Sequence, residues 1–162
     1  CDVRDDVQLV IVGKGLLARQ LQEQAEFLGT HCMFTGYVSD DDKRSLLRES
    51  TLFVMPSPAE LQCISALEAM ACGVPIVVAD RVALPALIDG GKNGVTFHYP
   101  DAQDLAHQMA QLLNEPKKVA AMRKHTRVWT KAHHSSTQTV AQYRHLYQSV
   151  KGRPSHSETA AS

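Results

Sequence analysis

Net charge is what this 162-residue chain most plainly lacks: Lys plus Arg and Asp plus Glu both number 17. The balance gives no reason to expect nucleic acid as a partner, so any phosphate recognition has to be local. No run is long and apolar enough to span a bilayer. Charges from Arg4 to Asp6 interrupt the N-terminus where a signal peptide would need an apolar stretch. The four cysteines, Cys1, Cys32, Cys63 and Cys72, include no C-x-x-C pair. A chain of this size buries a core without staples, which favours a reducing, cytoplasmic setting. Eight histidines are present, His133-His134 among them, but none has metal-ligand spacing, so no metal is expected. The third glycine of a dinucleotide fingerprint is also missing, because Ala18 stands where it should follow Gly13 and Gly15. The chain opens on Cys1 rather than Met, with a strand signal close behind, which predicts a piece of a longer protein.

Hydrophobic residues at 44% and charged residues at 21% fit a soluble globular domain. One domain is expected over residues 1–150. The Ser-, Thr-, Ala-, Gly- and Pro-rich stretch 151–162 is expected to be a disordered tail. Gln8 to Gly13 is a short apolar run closed by glycine and reads as a buried parallel strand. Leu17, Leu21, Ala25 and Leu28 mark a helix ending at Gly29, and His31 to Phe34 a second strand. Ser39 followed by three aspartates predicts the capped start of a helix running to Ser50.

Thr51–Met55, Pro75–Ala79 and Gly94–His98 read as further strands, with a short helix marked by Ile64, Leu67 and Ala71 ending at Cys72-Gly73. Helices are expected over Ala102–Leu113, Pro116–Trp129 and near Ser135–Val150. Strand and helix alternate five times with short joints. That predicts an α/β fold, a Rossmann-like parallel sheet with helices on both faces. Ligands in such sheets lie beyond the carboxyl ends of the strands.

The joint after the third strand holds the most chemistry. Glu60 stands in the loop and Glu68 on the second helical turn. Between them the helix N-terminus near Cys63 and Ile64 offers unpaired N–H groups and the positive end of a dipole. A diphosphate docked there would have a carboxylate on each side. Helical side chains lean toward the N-terminus, so Glu68 would point back at the anion and could accept two hydrogen bonds from a ribose diol. Two glutamates at this spacing serve equally well as a solvated surface pair, and spacing alone does not choose.

Pro56-Ser57-Pro58-Ala59-Glu60, followed by Ala66-Leu67-Glu68-Ala69-Met70-Ala71-Cys72-Gly73-Val74-Pro75-Ile76, resembles the E-x₇-E signature of retaining GT-B glycosyltransferases, and the GT4 family (group 1 transferases) most closely. Leu9 to Gly15 is similar to that family's V-G-x-G turn, and Phe34-Thr35-Gly36-Tyr37-Val38 to its F-x-G-x-V segment. Leu84-Pro85 with Ile88, then Asn93-Gly94-Val95, is similar to its L-P-x-x-I…x-x-G segment. The similarity covers roughly residues 7 to 150.

The resemblance implies the C-terminal, donor-binding half of a GT-B enzyme, with the N-terminal domain of the same protein as its partner. A hexose would pass with retention from a nucleotide diphosphate sugar, UDP-glucose first and GDP-mannose next, to a lipid or saccharide acceptor. That donor is a substrate; no cofactor is implied. Glu68 would hold the ribose. Glu60 would hold the donor hexose and is the catalytic residue of the set in that sense, with no acid or base role. Gln62, Cys63, Ile64 and Ser65 would lie at the diphosphate, with Gly13, Lys14, Gly15, Tyr37 and Val38 completing the donor site. The 162 residues alone would be inactive.

Departures from the family pattern point in several directions. Gln62-Cys63 stands where Phe-Gly is usual, and a Cβ at Cys63 could crowd a backbone that approaches the donor. Some lipid-glycosylating relatives carry Gln at that position. Val82-Ala83-Leu84-Pro85-Ala86 replaces Gly-Gly-x-P-E, so a loop carboxylate is absent. The family's diphosphate-gripping Arg and Lys belong upstream of Cys1, leaving Lys14 as the one basic residue in the first two joints. It reads either as a phosphate contact or as a solvated turn lysine. Lys117, Lys118, Arg123, Lys124, Arg127 and Lys131 surround Trp129, either as a solvated face or as a contact for an anionic membrane surface at the inner face of the membrane. A non-catalytic nucleotide-binding or regulatory module, and an NAD-dependent oxidoreductase domain, are the rival readings.

Overall fold

A computed structural model describes residues 4–151. The chain divides into two compact units, Cys1–Leu46 and Leu47–Ser162. In the first unit, strand β1 (Leu9–Val12) pairs in parallel with β2 (Cys32–Gly36), Leu9 opposite Cys32 and Ile11 opposite Phe34. The register slips before Val12, which faces Gly36. The expected buried strand is therefore present as a strand but not as a buried one: Leu9 is 41% and Val12 43% exposed. A strand with a single partner has half of its backbone edge and much of its side-chain surface uncovered, and none of the described residues of this unit is fully buried.

Helix α1 (Ala18–Ala25) stops short of the expected end at Gly29. The chain tightens into a 3₁₀ segment, Glu26–His31, with Gly29 at φ 51° turning it back toward β2. Such tightening is common where a helix must reverse into a strand within a few residues. Helix α2 (Asp40–Glu49) begins as its sequence dictates. Ser39 Oγ accepts the Asp42 N–H at 3.1 Å, and three aspartates face the positive end of the helix.

The second unit holds a three-stranded parallel sheet ordered β3 (Phe53–Met55), β4 (Ile76–Ala79), β5 (Gly94–Phe97). β4 is central, and all four of its residues are fully buried, as a continuous Ile-Val-Val-Ala run requires of a strand covered on each side. Helices α3 (Ile64–Ala71), α4 (Ala102–Leu113), α5 (Pro116–His134) and α6 (Ser136–Lys151) follow in chain order. Met70, Leu84, Phe97, Leu112, Val119 and Met122 close the core around β4, each full burial of this kind stabilising the fold by roughly 1.5–3 kcal/mol.

Asp101 caps α4, its Oδ1 accepting the N–H groups of Gln103 and Asp104 at 2.8 and 3.0 Å. Gly73 ends α3 at φ 81°. Its N–H bonds Met70 O and that of Val74 bonds Ala69 O, both at 2.9 Å. A Cβ on Gly73 would sit 3.1 Å from the Arg123 carbonyl oxygen, so the end of α3 and α5 meet there backbone to backbone.

α5 runs five residues beyond the expected Trp129. Nothing at Trp129 breaks it, and Lys131, His133 and His134 in its last turn suit the negative end of the dipole. Its buried Thr126 and Thr130 hydroxyls donate to Met122 O and Thr126 O at 2.7 Å. The parallel α/β architecture expected from the sequence is what the structure shows. The expected tail, apart from Lys151 at the end of α6, lies outside the described residues. Among the described residues no helix is long and apolar enough to cross a membrane.

Candidate functional site

The candidate residues fall into two groups, one in each unit. In the first unit, Gly13 to Gly15 leave β1 and Gly36 to Val38 leave β2, so parallel pairing sets the two joints side by side. Gly13 N–H donates to Gly36 O at 2.8 Å, and Thr35 Oγ1 donates to Ile11 O at 3.4 Å. Lys14 reaches across this junction, its Cε 3.9 Å from where a Cβ on Gly36 would stand. Tyr37 is 77% exposed, its ring free to meet a flat ligand.

In the second unit the loop between β3 and α3 carries Glu60, Gln62 and Cys63, and α3 carries Ile64, Ser65 and Glu68, in one continuous segment. Glu60 and Glu68 are both half-buried. The Glu60 carbonyl accepts the Ala83 N–H at 3.4 Å, linking this loop to the joint that leaves β4. No side chain caps α3, and its first turn holds no acid, so the positive end of the helix is not neutralised from within. Cys63, at the cap position, has φ −68°, ordinary for any residue. Its side chain is 3% exposed, joins the core cluster with Ala66 and Met70, and places Sγ 3.4 Å from Ser65 Oγ. The backbone here makes no demand for glycine.

A further cluster has no counterpart in the sequence reading. Ala79 and Phe97 are opposite each other in the β4–β5 register, so the residues that follow them emerge together. Asp80 Oδ1 accepts Tyr99 N–H at 3.0 Å and Arg81 Nη1 at 2.7 Å, while Asp80 Oδ2 lies 2.9 Å from His98 Nδ1. Arg81 Nη2 also donates to Tyr99 O at 2.6 Å. The Tyr99 N–H, then the His98 hydrogen bond and the Arg81 charge, hold the Asp80 carboxyl below its ordinary range against a desolvation that pushes it up. A carboxyl with a depressed folded pKa stabilises the fold fully above its unfolded pKa, and that stability is lost as pH falls through the folded value. Wild type is therefore expected to lose resistance to urea below the ordinary carboxylate range more steeply than Asp80→Asn. Parallel acid limbs for the two proteins would show that the network contributes nothing.

Val82 follows at φ 50°, a left-handed conformation that strains a β-branched side chain, and it is 64% exposed. The strain, about 1–2 kcal/mol, exceeds the roughly 0.5–1 kcal/mol entropic cost of a glycine. Val82→Gly should thus raise the urea midpoint, by up to about 1 kcal/mol of stability. A lowered midpoint would refute the strain.

The family model described as Glycosyl transferases group 1 matches residues 2–129. Among curated relatives, the chain is 33% identical over 119 residues to the GDP-mannose-dependent alpha-(1-6)-phosphatidylinositol dimannoside mannosyltransferase of Mycobacterium tuberculosis, covering 73% of this chain and 30% of that protein. It is 36% identical over 110 residues to the phosphatidyl-myo-inositol mannosyltransferase of Mycobacterium leprae, covering 67% and 29%. Among solved structures, sucrose-phosphate synthase from Thermosynechococcus elongatus superposes with a TM-score of 0.80 at 23% identity, covering 88% of this chain and 38% of that one. Anabaena HepE, solved in complex with UDP, also gives 0.80, at 22% identity and covering 90% and 42%. These structures share the fold. The chain spans about a third of the length of the curated relatives it matches. With the family model covering most of its length, the chain belongs to the group 1 glycosyl transferases.

Proposed function

We propose that this chain is the donor-binding part of a retaining hexosyltransferase, and that it works with an N-terminal domain of the same protein. The observation that carries the proposal is the α3 segment, an uncapped helix start flanked by half-buried Glu60 and Glu68. In this reading the diphosphate meets the N–H groups of Ile64 and Ser65, whose dipole stabilises charge developing on the leaving group. Glu68 accepts the ribose hydroxyls and Glu60 those of the hexose. In the first unit, Lys14, Tyr37 and Val38 are the residues assigned to the donor by the motifs they belong to.

The mannosyltransferase relatives support GDP-mannose ahead of UDP-glucose as donor, and their phosphatidylinositol acceptors support a lipid acceptor. Gln62, in place of the family's usual Phe, agrees with that acceptor class. The test is calorimetric titration of the 162 residues with GDP, UDP and NAD, beside an assay for sugar transfer. The expected result is binding of GDP in preference to UDP, none of NAD, and no turnover. Preference for NAD, or indifference to all three, would overturn the proposal.

A further inference from the structure

The chain's neutrality conceals a division. Residues 1–115 carry sixteen acidic and eight basic residues, and residues 116–162 carry one acidic and nine basic. Neither α5 nor α6 contains a single Asp or Glu. On α5 the buried residues Val119, Met122, Thr126 and Thr130 define the inner face. Lys117, Lys124, Arg127 and Lys131 follow at intervals of seven, three and four; the three lysines turn away from that face and Arg127 lies on its flank beside Gly73, and all four are exposed. The other cations of α5 are already engaged. Lys118 pairs with Glu115 at 3.4 Å, and Arg123 donates to the carbonyls of Ser50 and Arg48 at 2.5 and 3.0 Å. The four exposed cations have no ion-pair or hydrogen-bond partner among the described residues.

We infer that this face of α5 docks on a bilayer containing anionic phospholipid. The stripe is about 21 Å long on a 19-residue helix, long enough to lie along a surface. Besides Lys118, its intervening exposed residues are Ala120, Ala121 and Val128, the last 70% exposed and one helical turn from both Lys124 and Lys131. Cations around an apolar tip suit a headgroup layer, where aliphatic stems and a valine enter the interface while the charges stay among phosphates. A groove reader of nucleic acid would carry amide, hydroxyl or aromatic side chains between its cations, and the stripe has none. The inference rests on the lipid acceptor proposed above for its purpose. Its failure is separately visible, since vesicle binding and nucleotide titration read different faces.

The test is co-sedimentation of the 162-residue chain with vesicles of phosphatidylcholine alone or mixed with phosphatidylinositol, at low and physiological salt. Binding should require the anionic lipid and weaken with salt. Neutralising Lys117, Lys124, Arg127 and Lys131 to Gln should weaken it by roughly fivefold per residue. Lys124→Arg with Lys131→Arg should keep it. Unchanged GDP affinity and helical circular dichroism certify that the neutralised variant is folded. Equal binding to neutral vesicles, or indifference to the four substitutions, would overturn the inference.

Discussion

Gly94→Ala is expected to destabilise the second unit by roughly 3–5 kcal/mol, a large part of the stability of a typical domain. Gly94 opens β5 directly opposite Ile76 of β4. A Cβ there would fall far inside van der Waals contact with Ile76 O and 2.8 Å from Ile76 Cγ1. Neither group can yield cheaply. Ile76 is fully buried, and its N–H already bonds Asn93 O at 3.2 Å. The β4–β5 pairing must open, and urea denaturation followed by circular dichroism should report a much lower midpoint. Gly15→Ala is the control: its Cβ meets nothing within 4 Å, and its midpoint should stay in place. Equal midpoints for the two variants would mean that β5 is not packed as described.

Glu68→Ala should weaken GDP binding by about 2–3 kcal/mol, roughly 30- to 150-fold in Kd, the loss of two charge-assisted hydrogen bonds to a ribose diol. A dideoxy nucleotide provides the second arm of the cycle. Wild type should lose a similar factor when the diol is removed, whereas Glu68→Ala should bind both nucleotides alike. If the variant still discriminates between them, Glu68 does not hold the ribose. Glu68 lies in mid-helix and is half-buried, so the substitution leaves α3 a good helix former.

The parts that could be read from sequence are those where one local rule dominates. The Ile76–Ala79 run is apolar throughout, so it had to be a covered strand. Ser39 and its aspartates had to start a helix, and Gly73 had to end one. Glu60 and Glu68 stood out through the signature that they resemble, and the helix start between them is uncapped. What escaped depends on neighbours distant in the chain. Asp80 meets His98 and Tyr99 only because Ala79 and Phe97 are in register, eighteen residues apart. Exposure of β1 depends on how many strands flank it, which its own residues do not encode. The left-handed turn at Val82 carries no sequence mark, because valine is among the least suited residues for it. The usual glycine of the family is gone, and the backbone keeps the glycine's shape. Cys63 is the reverse case: it stands where the resembled pattern has glycine, at a φ of −68° that any residue adopts.

The fully buried Asn93 side chain holds the loop before β5 closed. Its Nδ2 donates to Leu87 O and its Oδ1 accepts the Asp89 N–H, both at 2.8 Å. Asn followed by Gly is, in a flexible chain, the pair most prone to chemical ageing. The glycine nitrogen attacks the side-chain amide carbon, closes a succinimide and expels ammonia. Here both ends of the asparagine amide are held, and Gly94 is fixed in a strand against Ile76. The fold thereby slows the deamidation clock, and time spent unfolded lets it run, turning transient opening into permanent covalent damage.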